Sequence, residues 1–165
     1  MLAIALALLL APPDDGLREA MLATHNQERA RVGAAPLIWD DALATAARTY
    51  AERIAKTGVF RHSDELAALR QGENLFMGTR DGYSYAEMAG FWLDERAVFV
   101  DNPTPDFSTT GKWADAAHYT QMIWPTTTRL GCATASSAEI DYLVCRYSPQ
   151  GNIVGQRAIP LAPKR

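Results

Sequence analysis

The sequence predicts an α+β fold, and three observations carry that reading. Before Val100 the apolar residues recur at helical spacing, with capping residues ahead of the runs and glycine behind them. After Ala117 they alternate with polar residues, and β-branched and aromatic types dominate. Between the two regimes lies one long irregular stretch, Asp101 to Asp115, broken by Pro103, Pro105 and Gly111.

The first helix is expected over Leu17 to Val32, capped by Asp14 or Asp15 and ended by Gly33. Ala34, Ala35 and Pro36 form a connection. Asp40 or Asp41 then caps a second helix, whose Leu43, Ala46, Ala47, Tyr50, Ala51 and Ile54 make one stripe before Gly58 closes it. A short helical turn follows with Leu66 and Leu69, and Glu73 to Met77 is expected to be extended. Ser84 and Glu87 have the spacing of a capping box and open a third helix. Its apolar stripe is Met88, Phe91, Trp92 and Phe99. Glu95 falls on the same stripe, and a carboxylate among buried aromatics is costly unless something pairs with it.

Ala117 to Trp124 reads as a strand. That places His118, Thr120, Met122 and Trp124 on one face and Tyr119, Gln121 and Ile123 on the other. Leu130 to Thr134 and Tyr142 to Tyr147 read as a hairpin. Cys132 and Cys145 sit symmetrically about its turn, so an antiparallel pairing brings them within bridging distance. A disulfide is expected in an exported chain; two reduced core thiols are the alternative.

With 165 residues, 48% of them hydrophobic and 21% charged, the chain is long enough for one domain with a real core. A net charge of -3 and a pI near 5.6 argue against a general nucleic-acid binder, which needs a basic footprint. Met1 to Ala11 is almost wholly Ala, Leu and Ile, and Pro12, Pro13, Asp14 and Asp15 break the run. Residues 1–13 are therefore read as a signal peptide without a basic lead, and 14–165 as a single domain, secreted or periplasmic. A buried N-terminal helix is the alternative. The mature chain holds no apolar run long enough to span a bilayer.

Three histidines occur, His25, His62 and His118. His25, inside the first helix beside Asn26 and ahead of Arg29, is expected to be a hydrogen-bonded structural residue. There is no His-Glu-x-x-His or Cys-x-x-Cys metal motif, no Gly-x-Ser-x-Gly elbow and no glycine-rich phosphate loop. His62, Glu73, Glu95 and His118 are far apart, so only the fold could bring them together.

Longer motifs give the chain a resemblance. In order they are His25-Asn26 with Arg29, Leu37 with Trp39-Asp40, His62-Ser63, Gly72-Glu73-Asn74-Leu75 and Trp92-Leu93-Asp94-Glu95. His118-Tyr119-Thr120-Gln121-Met122-Ile123-Trp124, Gly131-Cys132-Ala133 and Tyr142-Leu143-Val144-Cys145-Arg146-Tyr147 through Asn152 follow. From Leu17 to Ala158 this resembles the CAP superfamily, or SCP domain, of cysteine-rich secretory proteins, antigen 5 and plant pathogenesis-related proteins. The resemblance implies a three-layer α-β-α sandwich around an antiparallel sheet. It also implies a cavity with the tetrad His62, Glu73, Glu95 and His118, in which His62 and His118 hold one divalent ion, usually zinc; two neutral ligands alone would hold it weakly. Ala117 departs from the Gly or acidic residue usual before that histidine. Two cysteines in place of six or more, and no cysteine-rich extension, resemble bacterial members.

The resemblance implies a binding protein for a lipid, a sterol, another small ligand or a partner protein. A metal-assisted hydrolase is the alternative, with Glu73 or Glu95 as the catalytic base. Binding ranks ahead of turnover, because catalytic zinc usually has three protein ligands and this set offers two. A purely structural polar cluster is the third reading.

Overall fold

The computed structural model describes residues 15–159, so the signal segment expected at 1–13 lies outside the described residues. Helix α1 runs over Asp15–Arg31, and Gly33 ends it with φ at 74°. Strand β1 is only Ile38–Trp39. Asp40 caps α2 (Asp41–Thr57) by accepting from the N–H groups of Ala42 and Leu43, and Gly58 closes it in the left-handed region. A single turn α3 (Leu66–Leu69) leads into β2 (Gly72–Thr79). Ser84 and Glu87 form the expected reciprocal capping box at the start of α4 (Tyr85–Asp94). Helix α5 (Ala117–Ile123) precedes the hairpin of β3 (Arg129–Ser136) and β4 (Ile140–Ser148).

The sheet order is β1-β3-β4-β2. β2, β3 and β4 are antiparallel, as expected, and β1 adds a two-residue parallel edge on β3. Alternation along β4 sorts its residues to two layers. Tyr142 and Val144 meet Leu75, Ala133 and the Ala47, Tyr50, Ala51 and Ile54 stripe of α2. Leu143, Cys145 and Tyr147 meet residues of α1, α4 and α5 on the other side. This is the α-β-α sandwich. Gly131 lets α2 close down on β3, since a Cβ there would lie 2.3 Å from the Ala44 nitrogen.

Cys132 and Cys145 are register partners and form the expected disulfide, with Cα atoms 4.1 Å apart. Closing a loop of 13 residues stabilises the fold by about 3 kcal/mol in the chain-entropy view.

Two expectations are overturned. Ala117 to Trp124 is not a strand. Its residues 117–123 are helical, and Tyr119, Thr120, Gln121, Met122 and Ile123 are all buried. A helix buried on every side shows no 3.6-residue stripe, so the alternation of residue types misleads. The second correction concerns the stripe of α4. Met88 and Trp92 are buried, but Phe91 is 49% exposed and stacks on Phe76 beside Tyr83. The α-helix stops at Asp94 and tightens to a 3-10 helix over Glu95–Val98, so Phe99 lies outside it. The long stretch after Val100 is partly ordered by its own contacts. Phe107 is fully buried, its carbonyl accepts from Val100 N–H, and a 3-10 turn at Trp113–Ala116 delivers the chain to α5.

Candidate functional site

Two histidine–carboxylate pairs stand on different elements. His62, in the connection after α2, places Nδ1 2.9 Å from Oε1 of Glu73 on β2, and the same oxygen accepts from Ser63 N–H. The other Glu73 oxygen lies 2.8 Å from Nε of Arg146, both side chains fully buried. That contact is ionic without hydrogen-bond alignment, and these two atoms have no other partner. The guanidinium also reaches Gln71 and Glu65 and lies over the Tyr50 ring.

His118 is the second residue of α5. Its Nδ1 is 2.6 Å from Oε1 of Glu95, and Oε2 of Glu95 accepts from the backbone N–H groups of His118 and Tyr119. The Glu95 carboxylate therefore caps α5 from outside the helix and orients the imidazole with the same group. The His118 ring stacks on Trp92 at 6.1 Å and 19°. Asn74 donates from Nδ2 to the His118 carbonyl.

His62, Glu73 and His118 line one cavity of about 300 Å³, walled also by Leu66, Trp113 and Gln150. Glu95 lies behind His118 and is not part of the wall. In both pairs a carboxylate engages Nδ1, which leaves Nε2 of each ring without a partner among the described residues. With Nδ1–H donating to the carboxylate, Nε2 presents a lone pair. Among the described residues no group of three or more His, Cys, Asp and Glu side chains could hold a metal ion.

A larger cavity of about 720 Å³ opens at the opposite end of the sheet, near Tyr83 and Asp141. Its carboxylates serve local turns. Asp141 accepts from Asp81 N–H and Ser136 Oγ, and Glu87 from Ser84.

The third histidine is structural. His25 is fully buried, with Nδ1 2.7 Å from the Met21 carbonyl and Nε2 2.8 Å from the Tyr147 hydroxyl. A carbonyl only accepts, so Nδ1 carries the hydrogen and Nε2 accepts from Tyr147. Burial first, and the Arg29 charge second, bring the His25 pKa down to about 4 despite the Met21 bond. The unfolded chain binds this proton near pH 6.5 and the folded chain near pH 4. Stability from this group is thus complete above pH 6.5 and is lost as pH falls toward 4, by on the order of 3 kcal/mol. Urea midpoints at about pH 7, 5.5 and 4 on wild type and His25→Gln should show the steeper fall in wild type. Parallel slopes would remove His25 from the acid response.

Sequence reasoning missed the groups that hold this site in place. Arg29, Asn74, Gln121 and Arg146 are buried polar residues inside apolar neighbourhoods. Glu28 is another, gathering Tyr119, Arg31 and Arg96. Burial would raise its pKa, but the Arg31 and Tyr119 bonds outweigh it and hold the carboxyl low. Arg29, Asn74, Gln121 and Arg146 do stand within the motifs that carried the resemblance, which was the one available signal.

The chain matches the Cysteine-rich secretory protein family (CAP) over residues 22–147. It is 35% identical over 136 residues to pathogenesis-related protein 1C of Nicotiana tabacum, covering 82% of this chain and 76% of that protein. Secreted protein RBT4 of Candida albicans is 30% identical over 145 residues, covering 86% of this chain and 37% of that one. The crystal structure of NaASP2 with Zn2+ superposes at a TM-score of 0.73 and 27% identity, covering 92% of this chain and 91% of that one.

Proposed function

Because the chain belongs to the cysteine-rich secretory protein (CAP) family, we propose that it is an exported binding protein whose His62–His118 cavity takes a small ligand and, weakly, a divalent ion. One observation carries this reading: each imidazole is held at Nδ1 by a carboxylate, and each keeps its Nε2 uncommitted on the same cavity. Carboxylate-oriented imidazoles are suited to a metal. His62 and His118 would be the ligands, Glu73 and Glu95 their orienting groups, and the bound ion would supply a Lewis-acid centre. Export is supported by the secreted relative, and no helix among the described residues is long and apolar enough to cross a membrane.

Turnover is the weaker reading for a geometric reason. A hydrolase would need Glu73 or Glu95 as a base, yet each carboxylate is already bonded to a histidine and to backbone N–H groups. Zinc titration by calorimetry tests the metal. Two protein ligands are one short of the usual catalytic set, so the dissociation constant should exceed about 10 µM. His62→Ala and His118→Ala should each weaken binding at least about tenfold. Saturable binding that survives both substitutions places the ion elsewhere. No binding at about 1 mM zinc leaves the cavity to an organic ligand alone.

A further inference from the structure

We propose that the organic ligand of this cavity is a neutral sugar, one pyranose ring lying against Trp113 with its hydroxyls toward the two imidazoles. This rests on the reading of the cavity as a ligand site and names the ligand's class. The polar wall of the cavity divides into groups already committed to hydrogen bonds and groups that are not. Gln121 is spent: Oε1 accepts from Gly151 N–H and Nε2 donates to Thr127. Asn152 is spent on Thr120 and the Ala117 carbonyl. Asn74 donates to the His118 carbonyl, and Glu73 is held between His62, Ser63 and Arg146.

What remains is a short set. As neutral imidazoles with Nδ1–H on the carboxylates, His62 and His118 each offer an Nε2 lone pair. Gln71 gives Oε1 to Arg146 and keeps its NH₂ group. The Gln150 side chain makes no hydrogen bond among the described residues, and Trp113 has neither a hydrogen bond nor a ring partner while 52% exposed at the rim. The free groups are two acceptors, two amides and one flat apolar face.

Each ligand class meets this set differently. An anion would face two lone pairs and the Glu73 carboxylate. An alkyl chain would strip water from several polar groups and give them nothing in return. A pyranose has hydroxyl donors for the imidazoles, oxygen acceptors for the amides and a C–H face for the indole. A cavity of about 300 Å³ is at the small end of ligand sites and suits one ring with some water.

The test is saturation-transfer NMR on the full chain, without metal, using methyl glycosides of glucose, galactose, mannose and N-acetylglucosamine at about 10 mM each. At least one should receive saturation on its ring protons. Trp113→Ala should cut that transfer by about fivefold and Gln150→Ala by about twofold. Both positions lie at the cavity wall and outside the core, and unchanged thermal melts will verify folding. Zinc calorimetry on Trp113→Ala should match wild type, because the imidazoles are untouched. No transfer from any of the four glycosides overturns the proposal, as does transfer undiminished in Trp113→Ala. Zinc binding without sugar binding would sink this inference and spare the metal site. Sugar binding without zinc binding would do the reverse.

Discussion

Replacing Arg29 with methionine should cost the fold about 4–6 kcal/mol, the largest loss expected from any single side chain here. Arg29 is fully buried in α1, and its guanidinium donates to four carbonyls. Nε reaches Ala35 at 2.6 Å, Nη1 reaches Met122 at 3.0 Å and Trp124 at 2.9 Å, and Nη2 reaches Thr127 at 2.9 Å. Met122 and Trp124 are at the C-terminal end of α5, where carbonyls have no intrahelical donor. Burial lowers the pKa of Arg29 to about 10, so it is still charged at neutral pH, and a cation at a helix C-terminus is favourable there. Methionine restores the bulk and removes four bonds, each worth about 1 kcal/mol or more; the Trp124 carbonyl keeps the Thr127 N–H, and the Ala35, Met122 and Thr127 carbonyls lose their donor. The loss is comparable to the whole stability of an ordinary domain, about 5–15 kcal/mol. Urea denaturation of Arg29→Met against wild type measures it. Arg29→Lys should fall between them, since one ammonium has three donors for four acceptors. A change under about 1.5 kcal/mol in Arg29→Met would show that the carbonyls find other partners.

This same residue explains what could and could not be read from the sequence. Helices α1, α2 and α4 announce themselves locally, because Asp40, Gly33, Gly58 and the Ser84–Glu87 box are made by neighbours in the chain. The hairpin and its disulfide are local as well, the two strands being separated by a turn of three residues, Ser137 to Glu139. Helix α5 is different. Its N-terminus is capped by Glu95 and its C-terminus by Arg29, and no residue of its own supplies a cap. Its β-branched and aromatic residues favour a strand until those two distant groups and the surrounding core override them. The site inherits this. The tetrad could be named from long motifs, but the pairing of His62 with Glu73 and of His118 with Glu95 belongs to the tertiary structure. The buried role of Arg146 could not be read for the opposite reason: a charged residue in a strand reads as surface, and here it lies on a central strand of the sheet.

Replacing Arg146 with methionine should destabilise the protein by about 3–5 kcal/mol and disturb His62 at the same time. Arg146 and Glu73 are register partners on β4 and β2, so the sheet itself presents the two charges to each other. Both side chains are fully buried. Desolvating two ions is expensive, and the pair is tolerable only while each neutralises the other. Glu65 adds little, because it is mostly exposed and 3.3 Å away. Without the guanidinium, Glu73 keeps a buried negative charge, the Ser63 N–H and His62. Glu73→Gln alone leaves Arg146 the unpaired member and should also destabilise. The double variant Arg146→Met with Glu73→Gln removes both charges, so it should be more stable than the two single losses added together. A double-mutant cycle by urea denaturation should return a coupling of about 2 kcal/mol or more. Additivity within about 0.5 kcal/mol would mean that Arg146 acts through Tyr50 and Gln71, and that Glu73 stays charged on the strength of His62 alone.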